Sequence, residues 1–167
     1  IGVSRGLGDV YKRQLLTCKT VERRFEVISN NIFNKGITLV DDYGHHPEEI
    51  KVTLETIDKV WKDNKKVVIF QPHRYSRTKA LFEEFVEILS EIDDLILLDV
   101  YPASENIIKG FESDDLLKAA NKKNNIIKAN GVEDALIKLK ELLNDHSLIL
   151  TQGAGNTSAL AKLISEH

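Results

Sequence analysis

The chain has 167 residues, of which 42% are hydrophobic and 29% charged, and its formal net charge is −3. This length suits one domain with a substantial core, and the slight acidity argues against a nucleic-acid-binding protein, which usually carries a basic excess. The single cysteine, Cys18, excludes an internal disulfide framework, and no apolar stretch approaches the roughly 20 residues that cross a bilayer. With no secretory signal visible, the composition fits a reducing cytosol.

The first residues differ from the rest of the chain. Residues 1–14 show no clear hydrophobic period, contain three glycines and end in a stretch typical of a translated sequencing adaptor. We therefore predict that residues 1–17 are a non-native or flexible leader and that residues 18–167 form the domain. A natural, flexible N-terminal segment is the alternative. If the segment is foreign, the chain is a fragment of a longer protein.

From residue 21 onward, patterns typical of strands and of helices alternate along the chain. The predicted strands cover residues 24–28, 37–40, 67–71, 95–100, 125–128 and 148–151. The predicted helices cover residues 47–61, 78–90, 113–120, 132–143 and 156–164. Strand 95–100 is the most apolar and is expected in the centre of the sheet, strand 125–128 is expected at an edge, and Val52 is expected on the apolar face of the first helix. This alternation predicts an α/β fold with a mostly parallel sheet and helices on both faces.

Two polar loops directly follow predicted strands, namely residues 41–47 and residues 71–78. In an open α/β sheet, ligands bind outside the carboxyl ends of the strands. The sequence therefore predicts that both loops border one crevice.

The first loop contains Asp42, Tyr43, Gly44, His45 and His46. A carboxylate at a strand end is suited to gripping ribose hydroxyls, and tyrosine offers both a flat apolar face and a phenolic donor. The two histidines are adjacent, so they should point in different directions, with one facing the crevice. A metal site would require the fold to bring Asp42, His45 and His73 within bonding distance.

The second loop contains His73, Arg74 and Arg77. Arginine is suited to bidentate capture of a carboxylate or a phosphate, and a cation in the first turn of a helix opposes the helix dipole. An anionic ligand explains such arginines better than helix stability does. The alternative is that both pair at the surface with Glu83, Glu84 or Asp42.

Two further loops give weaker signals. The turn at Gly153, Gly155 and Asn156 could present backbone N–H groups to an anion, or could simply join a strand to a helix. Tyr101 and Glu105 either border the crevice or belong to a solvated connection. Neither the phosphate-binding motif G-x-x-x-x-G-K-[ST] nor the nucleophile motif G-x-S-x-G occurs in the chain.

Five segments in fixed order resemble the C-terminal domain of the Mur ligases: RRFEV, GITLVDDYGHHPEEI, VVIFQPHRYSRTKALFEEF, LLDVYPASE and LILTQGAGN. The resemblance covers residues 18–167 and is greatest for the branch that joins L-alanine to UDP-N-acetylmuramate during peptidoglycan assembly in the bacterial cytoplasm. It implies a Rossmann-like three-layer αβα domain. It also implies ATP and Mg²⁺ as cofactors, bound mainly by a central domain that would precede this one.

The same resemblance implies roles for individual residues. Asp42 would hold the ribose of ATP, and the pocket for L-alanine would be formed by Tyr43, His45, His73, Arg74 and Arg77. No catalytic residue is expected within the fragment, which should be inactive without the remaining domains of the ligase. The alternatives are a stand-alone nucleotide- or anion-binding module, the related muropeptide-recycling ligase, and a metal hydrolase that uses the histidines.

Overall fold

A computed structural model describes residues 23–120 and 125–167. The predicted leader at residues 1–17 and Cys18 lie outside this part of the chain. The described strands form one sheet in the order β1-β2-β6-β3-β4-β5, in which β1 runs antiparallel to β2 and all other neighbours are parallel. They are β1 (Glu26–Ile32), β2 (Ile37–Asp42), β3 (Lys66–Phe70), β4 (Asp94–Leu98), β5 (Asn125–Ala129) and β6 (Leu148–Gln152).

Helices cover both faces of the sheet. They are α1 (Pro47–Val60), α2 (Tyr75–Ala80), α3 (Phe82–Ser90), α4 (Ser113–Ala120), α5 (Val132–Leu142) and α6 (Thr157–Ser165). One apolar layer joins α1, α3 and α4 to the sheet, and a second layer joins α5 and α6 to the opposite face. The α/β, Rossmann-like three-layer fold with a mostly parallel sheet is therefore confirmed.

Several details differ from the prediction, beginning with β1, which covers Glu26–Ile32 rather than residues 24–28. Strand β4 lies next to the edge strand β5 rather than in the centre, which β6 and β3 occupy. The predicted helix 78–90 begins earlier and is divided at Leu81, where φ is −120° and ψ is 27°. Val52 is 61% exposed, because two residues after Ile50 the helix has turned about 200° away from the core.

The sheet places the polar loops at one edge. Asp42, Gln152 and Phe70 end the neighbouring strands β2, β6 and β3, and they are paired in register. Because these strands are parallel, the segments that follow them emerge side by side. In residues 23–120 and 125–167, no helix has the length and apolar character that a membrane span requires.

Candidate functional site

A row of four aromatic rings joins the loops at the carboxyl edge of the sheet. The ring centroids of Tyr43 and His45 are 5.4 Å apart, those of His45 and His73 are 5.6 Å apart, and those of His73 and Tyr101 are 5.4 Å apart. The His73 and Tyr101 rings are stacked, with only 10° between their planes. The structure thus brings the first predicted loop, the second predicted loop and the segment after β4 together along one rim.

Asp42 lies at the inner end of the first loop and is 8% exposed. Its Oδ1 accepts a hydrogen bond from the backbone N–H of Phe25 at 3.0 Å. Its Oδ2 accepts hydrogen bonds from the Gly44 N–H at 3.2 Å, the Thr53 hydroxyl at 3.0 Å and Gln152 Nε2 at 2.6 Å. The carboxylate therefore ties β2 to α1, β6 and the start of the described chain.

Gly44 allows the first loop to fold closely over Asp42. A Cβ atom at this position would lie 2.6 Å from Gln152 Nε2 and 2.7 Å from Asp42 Oδ2. Gln152 Nε2 also donates to the Gly44 carbonyl at 2.9 Å, whereas Gln152 Oε1 has no hydrogen-bond partner among the described residues. The glycine is required here by close approach rather than by an unusual backbone angle.

The two adjacent histidines have different roles, as their adjacency predicts. His45 faces His73, whereas His46 is the N-cap of α1 and its Nδ1 lies 3.4 Å from the Glu48 N–H. Glu49 completes a capping box by accepting the His45 and His46 N–H groups at 2.9 and 3.0 Å. Burial raises the pKa of the Glu49 carboxyl, but these N–H groups and the histidine charges outweigh it, so the pKa lies below its ordinary value.

The second loop begins with a strained residue. Arg74, the N-cap of α2, has φ 72° and ψ 132°, a backbone conformation that costs a residue with a Cβ about 1–3 kcal/mol. Its side chain is exposed, and its backbone N–H donates to the Tyr101 carbonyl at 2.8 Å. Strain of this size persists only when the surrounding contacts fix the conformation.

Arg77 determines which ring nitrogen of His73 carries the proton. Its Nη1 donates to the His73 carbonyl at 3.1 Å and lies 3.2 Å from His73 Nδ1. Because a guanidinium can only donate, Nδ1 must accept, and the proton of the neutral ring is then on Nε2. Burial lowers the pKa of His73, and Arg77, His45 and Arg74 lower it further while Glu105 opposes them, so the pKa lies below its ordinary value of 6.5 and the neutral ring predominates at pH 7.

Neither arginine of the second loop is neutralised by a carboxylate. Within the described residues, no ion pair involves Arg74 or Arg77, so the predicted alternative of surface pairing with Glu83, Glu84 or Asp42 does not occur. Asp42 pairs instead with neutral donors. The two arginines therefore form no ion pair on this side of the crevice, although the Glu105 carboxylate is near enough to act on Arg74 electrostatically.

The turn after β6, which gave only a weak signal in the sequence, is held in place by Gln71, the residue that follows β3. Gln71 Oε1 accepts the N–H of Asn156, the N-cap of α6. A Cβ at Gly153 would lie 2.8 Å from the Gln71 carbonyl, and one at Gly155 would collide with Gln71 Oε1. Both glycines are explained by packing against Gln71, which leaves the predicted anion contact at this turn an untested prediction.

Arg23 is a site residue that the sequence analysis missed. Its Nε pairs with Asp41 Oδ2 at 3.0 Å, and its Nη2 donates to the Gly153 carbonyl at 2.8 Å. Its guanidinium carbon lies 5.2 Å from the centre of the Tyr43 ring. The partners are distant in sequence, so only the register of β2 with β6 reveals the contact. No local signal marked Arg23.

The histidines and acids of the site do not form a metal centre. In the described part of the chain, no group of three or more His, Cys, Asp or Glu side chains is arranged to hold a metal ion. Asp42, His45 and His73 are therefore not brought together as ligands, and the metal-hydrolase alternative finds no support in this geometry.

The chain belongs to the Mur ligase family. The family model described as "Mur ligase, glutamate ligase domain" matches residues 23–155. Over its whole length the chain is 41% identical to the UDP-N-acetylmuramate–L-alanine ligase of Methylococcus capsulatus, of which it spans 37%. The resemblance to the C-terminal domain of these ligases is thus confirmed.

Solved structures share the fold. The UDP-N-acetylmuramate–alanine ligase of Thermotoga maritima matches 96% of the chain with a TM-score of 0.64 and 23% identity, and the chain covers 35% of it. A domain of a ligase from Haemophilus ducreyi, described as a putative UDP-N-acetylmuramate:L-alanyl-γ-D-glutamyl-meso-diaminopimelate ligase, matches 86% of the chain with a TM-score of 0.62 and 19% identity. The chain covers 98% of that domain.

Proposed function

We propose that this chain is the C-terminal domain of an ATP-dependent ligase that joins L-alanine to UDP-N-acetylmuramate in peptidoglycan synthesis. The 41% identity to the Methylococcus capsulatus ligase supports this assignment. Because the chain spans about a third of that relative, the complete reaction belongs to a longer protein in the bacterial cytoplasm. Its other domains would bind the phosphates of ATP and the Mg²⁺ ion, since this sequence contains no phosphate-binding loop.

The amino-acid pocket is the part of the reaction that this domain would supply. The observation that carries the proposal is that Arg77 contacts His73, whose ring is paired with that of His45, and that Arg74 follows His73 directly in the same loop. Neither arginine forms an ion pair with a carboxylate among the described residues. Arginine binds a carboxylate in bidentate fashion. Tyr43, 43% exposed at the end of the row, adds an apolar surface beside which a methyl side chain could pack.

In the reaction implied by this class, ATP phosphorylates the carboxylate of the sugar nucleotide, the amine of L-alanine attacks the acyl phosphate, and phosphate leaves. The residues of this domain would hold the carboxylate of L-alanine and so orient its amine. Since Nδ1 of His73 already accepts from Arg77, the Nε2–H of the neutral ring remains as a donor that the carboxylate of the ligand could accept. A neutral ring also avoids placing a further cation against the incoming amine.

The contact between Asp42 and the ATP ribose stays a prediction. Oδ2 of this buried carboxylate accepts three hydrogen bonds and Oδ1 accepts one, so Oδ1 is the more available acceptor. We propose that any ribose contact is made through Oδ1, and that the main role of Asp42 is to hold the first loop in place.

The proposal is tested in a chimeric ligase in which this chain, from residue 23 onward, replaces the matching domain of the Methylococcus capsulatus relative. We expect phosphate release that depends on both L-alanine and UDP-N-acetylmuramate. Arg74→Ala should raise the KM for L-alanine by roughly 10- to 150-fold, because a hydrogen bond to a charged group contributes about 1.5–3 kcal/mol. The KM for ATP should stay nearly constant.

The matched control is Lys62→Ala, which removes one exposed positive charge just beyond the far end of α1. An unchanged KM for L-alanine in Arg74→Ala would contradict the assignment of Arg74. A chimera that uses a muropeptide but not L-alanine would favour the recycling ligase. Nucleotide binding by the isolated chain, without ligation in the chimera, would favour the stand-alone module.

A further inference from the structure

The loop that follows β4, residues 99–105, is attached to the second site loop at successive positions. The first attachment is from Gln71 Nε2 to the Asp99 carbonyl at 3.0 Å. Tyr101 then donates its N–H to the Pro72 carbonyl at 2.8 Å and accepts the Arg74 N–H at 2.8 Å, in a parallel bridge centred on His73. The two loops therefore form an extension of the β3–β4 pairing beyond the sheet.

Glu105 makes the last of these attachments. Its Oε2 accepts the backbone N–H of Ser76 at 2.9 Å, and its Oε1 accepts the Ser76 hydroxyl at 2.6 Å. Ser76 is in the first turn of α2, where backbone N–H groups have no partner within the helix. Because α2 has no side-chain N-cap of its own, Glu105 supplies from another loop the acceptor that a capping residue would provide.

The strained residue lies between two of these anchors. Arg74, at φ 72°, is held by Tyr101 through its own N–H and is followed two residues later by Ser76, held by Glu105. Arg77, which contacts His73, comes next. Releasing Glu105 would remove the acceptor of the Ser76 N–H and hydroxyl, which would loosen the turn that carries both arginines even though Thr78 still donates to the Arg74 carbonyl.

From this geometry we propose that Glu105 is a positioning residue for the amino-acid pocket, acting through Ser76 to hold Arg74 and Arg77; the role of the pocket itself rests on the proposed function. The carboxylate directs both oxygens to Ser76, and within the described residues it forms no ion pair with Arg74. Glu105 and the guanidinium of Arg74 therefore interact through space without an ion pair, while the backbone of this turn is fixed.

The charge state of Glu105 agrees with this role. The Ser76 hydroxyl and then the Ser76 N–H lower the pKa of the Glu105 carboxyl, and Arg74 lowers it further. The group is therefore ionised throughout the neutral range, in which it can only accept hydrogen bonds. Both groups of Ser76 that face it are donors, so the pairing is complementary.

The test compares Glu105→Ala and Glu105→Gln in the chimeric ligase, with Glu91→Ala as the control that removes an exposed carboxylate at the end of α3. We expect Glu105→Ala to raise the KM for L-alanine at least tenfold while the KM for ATP changes less than twofold. Glu105→Gln should restore most of the affinity, since its amide oxygen accepts from the Ser76 N–H and its NH₂ donates to the Ser76 hydroxyl.

Three results would overturn the proposal. An unchanged KM for L-alanine in Glu105→Ala would show that the attachment does not matter for the pocket. A lowered KM would show that the Glu105 carboxylate competes with the ligand. If Glu105→Gln raised the KM for L-alanine as much as Glu105→Ala, the negative charge of Glu105, rather than its hydrogen bonds to Ser76, would set the affinity.

A second measurement separates this inference from the proposed function. In the 167-residue chain itself, amide hydrogen exchange at Ser76 and Arg74 should accelerate in Glu105→Ala and return toward the original rate in Glu105→Gln. If the unaltered chimera does not use L-alanine, the proposed function fails, and the exchange rates alone decide whether Glu105 holds this loop. Exchange that is unaffected by Glu105→Ala overturns the positioning role.

Discussion

The two loops that carry the predicted site differ in how their polar groups are satisfied. In the first loop, Asp42 is buried among hydrogen-bond donors and Glu49 completes the capping box of α1. In the second loop, Arg74 and Arg77 have no carboxylate partner within the described residues, and the backbone of Arg74 is strained. The polar groups of the first loop are thus satisfied within the domain, whereas the second loop carries two arginines without an ion-pair partner, which is the basis of the proposed ligand contact.

This comparison predicts the largest loss of stability at Asp42. Asp42→Ala leaves the Phe25 N–H and the Thr53 hydroxyl without an acceptor inside the domain. A buried donor that is left unsatisfied costs about 1–3 kcal/mol in the free energy of unfolding, and this variant leaves more than one. Urea unfolding of the 167-residue chain, with and without Asp42→Ala, would measure the change in the free energy of unfolding.

The matched control for this loss is Asp63→Ala, which removes an exposed carboxylate just after α1 and should change stability by less than about 0.5 kcal/mol. Arg74→Ala should be equally mild, since its side chain is exposed. If Arg74→Ala destabilised the chain as much as Asp42→Ala, the two loops would not differ in the way described.

Local sequence patterns were sufficient to predict most of the fold. The apolar runs before Asp42 and Gln71 form strands, and Pro47 begins a helix, because short-range preferences and burial agree there. The division of the helix at Leu81 was not predictable, because neither glycine nor proline marks it. Leu81 both ends α2 and precedes α3, which packs against the core, so tertiary contacts determine the break.

The site was predictable as a set of residues but not as a set of contacts. Strand ends placed His45 and His73 on one rim, and adjacency predicted that His45 and His46 diverge. The engagement of Asp42 by Gln152 depends on strands 110 residues apart in sequence. The contacts of Arg23 and Glu105 likewise depend on long-range pairing, which residue types alone do not reveal.

A smaller effect is expected at the cap of the first loop. Glu49→Ala removes the acceptor of the His45 and His46 N–H groups and should cost about 1 kcal/mol, the usual contribution of an N-terminal cap. Glu48→Ala is the matched control, because it removes the same charge from the same helical turn but leaves the capping box intact. Thermal unfolding of both variants would detect the difference, and equal losses would assign the effect to the helix dipole instead.

The smallest expected effect concerns the titration of His73 in the second loop. After burial, the charge of Arg77 is the largest contribution that lowers this pKa, and Arg74 contributes less. Arg77→Gln should therefore raise the pKa of His73 toward its ordinary value of 6.5, and Arg74→Gln should raise it by a smaller amount. NMR titration of the ring protons measures both, with Lys62→Gln as the control.

The lowered pKa of His73 also makes the free energy of unfolding depend on pH. In the folded chain His73 binds its proton at a lower pH than in the unfolded chain, so the unfolded state takes up more protons as the pH falls. The contribution of His73 to stability is fully present above its ordinary pKa and is lost as the pH falls through the window between 6.5 and the lower folded value. Arg77→Gln should narrow this pH range, because it raises the pKa of His73 in the folded chain toward 6.5. A pKa of His73 that did not respond to either arginine would mean that burial alone keeps the ring neutral, and the positive charge of the second loop would then be directed away from it.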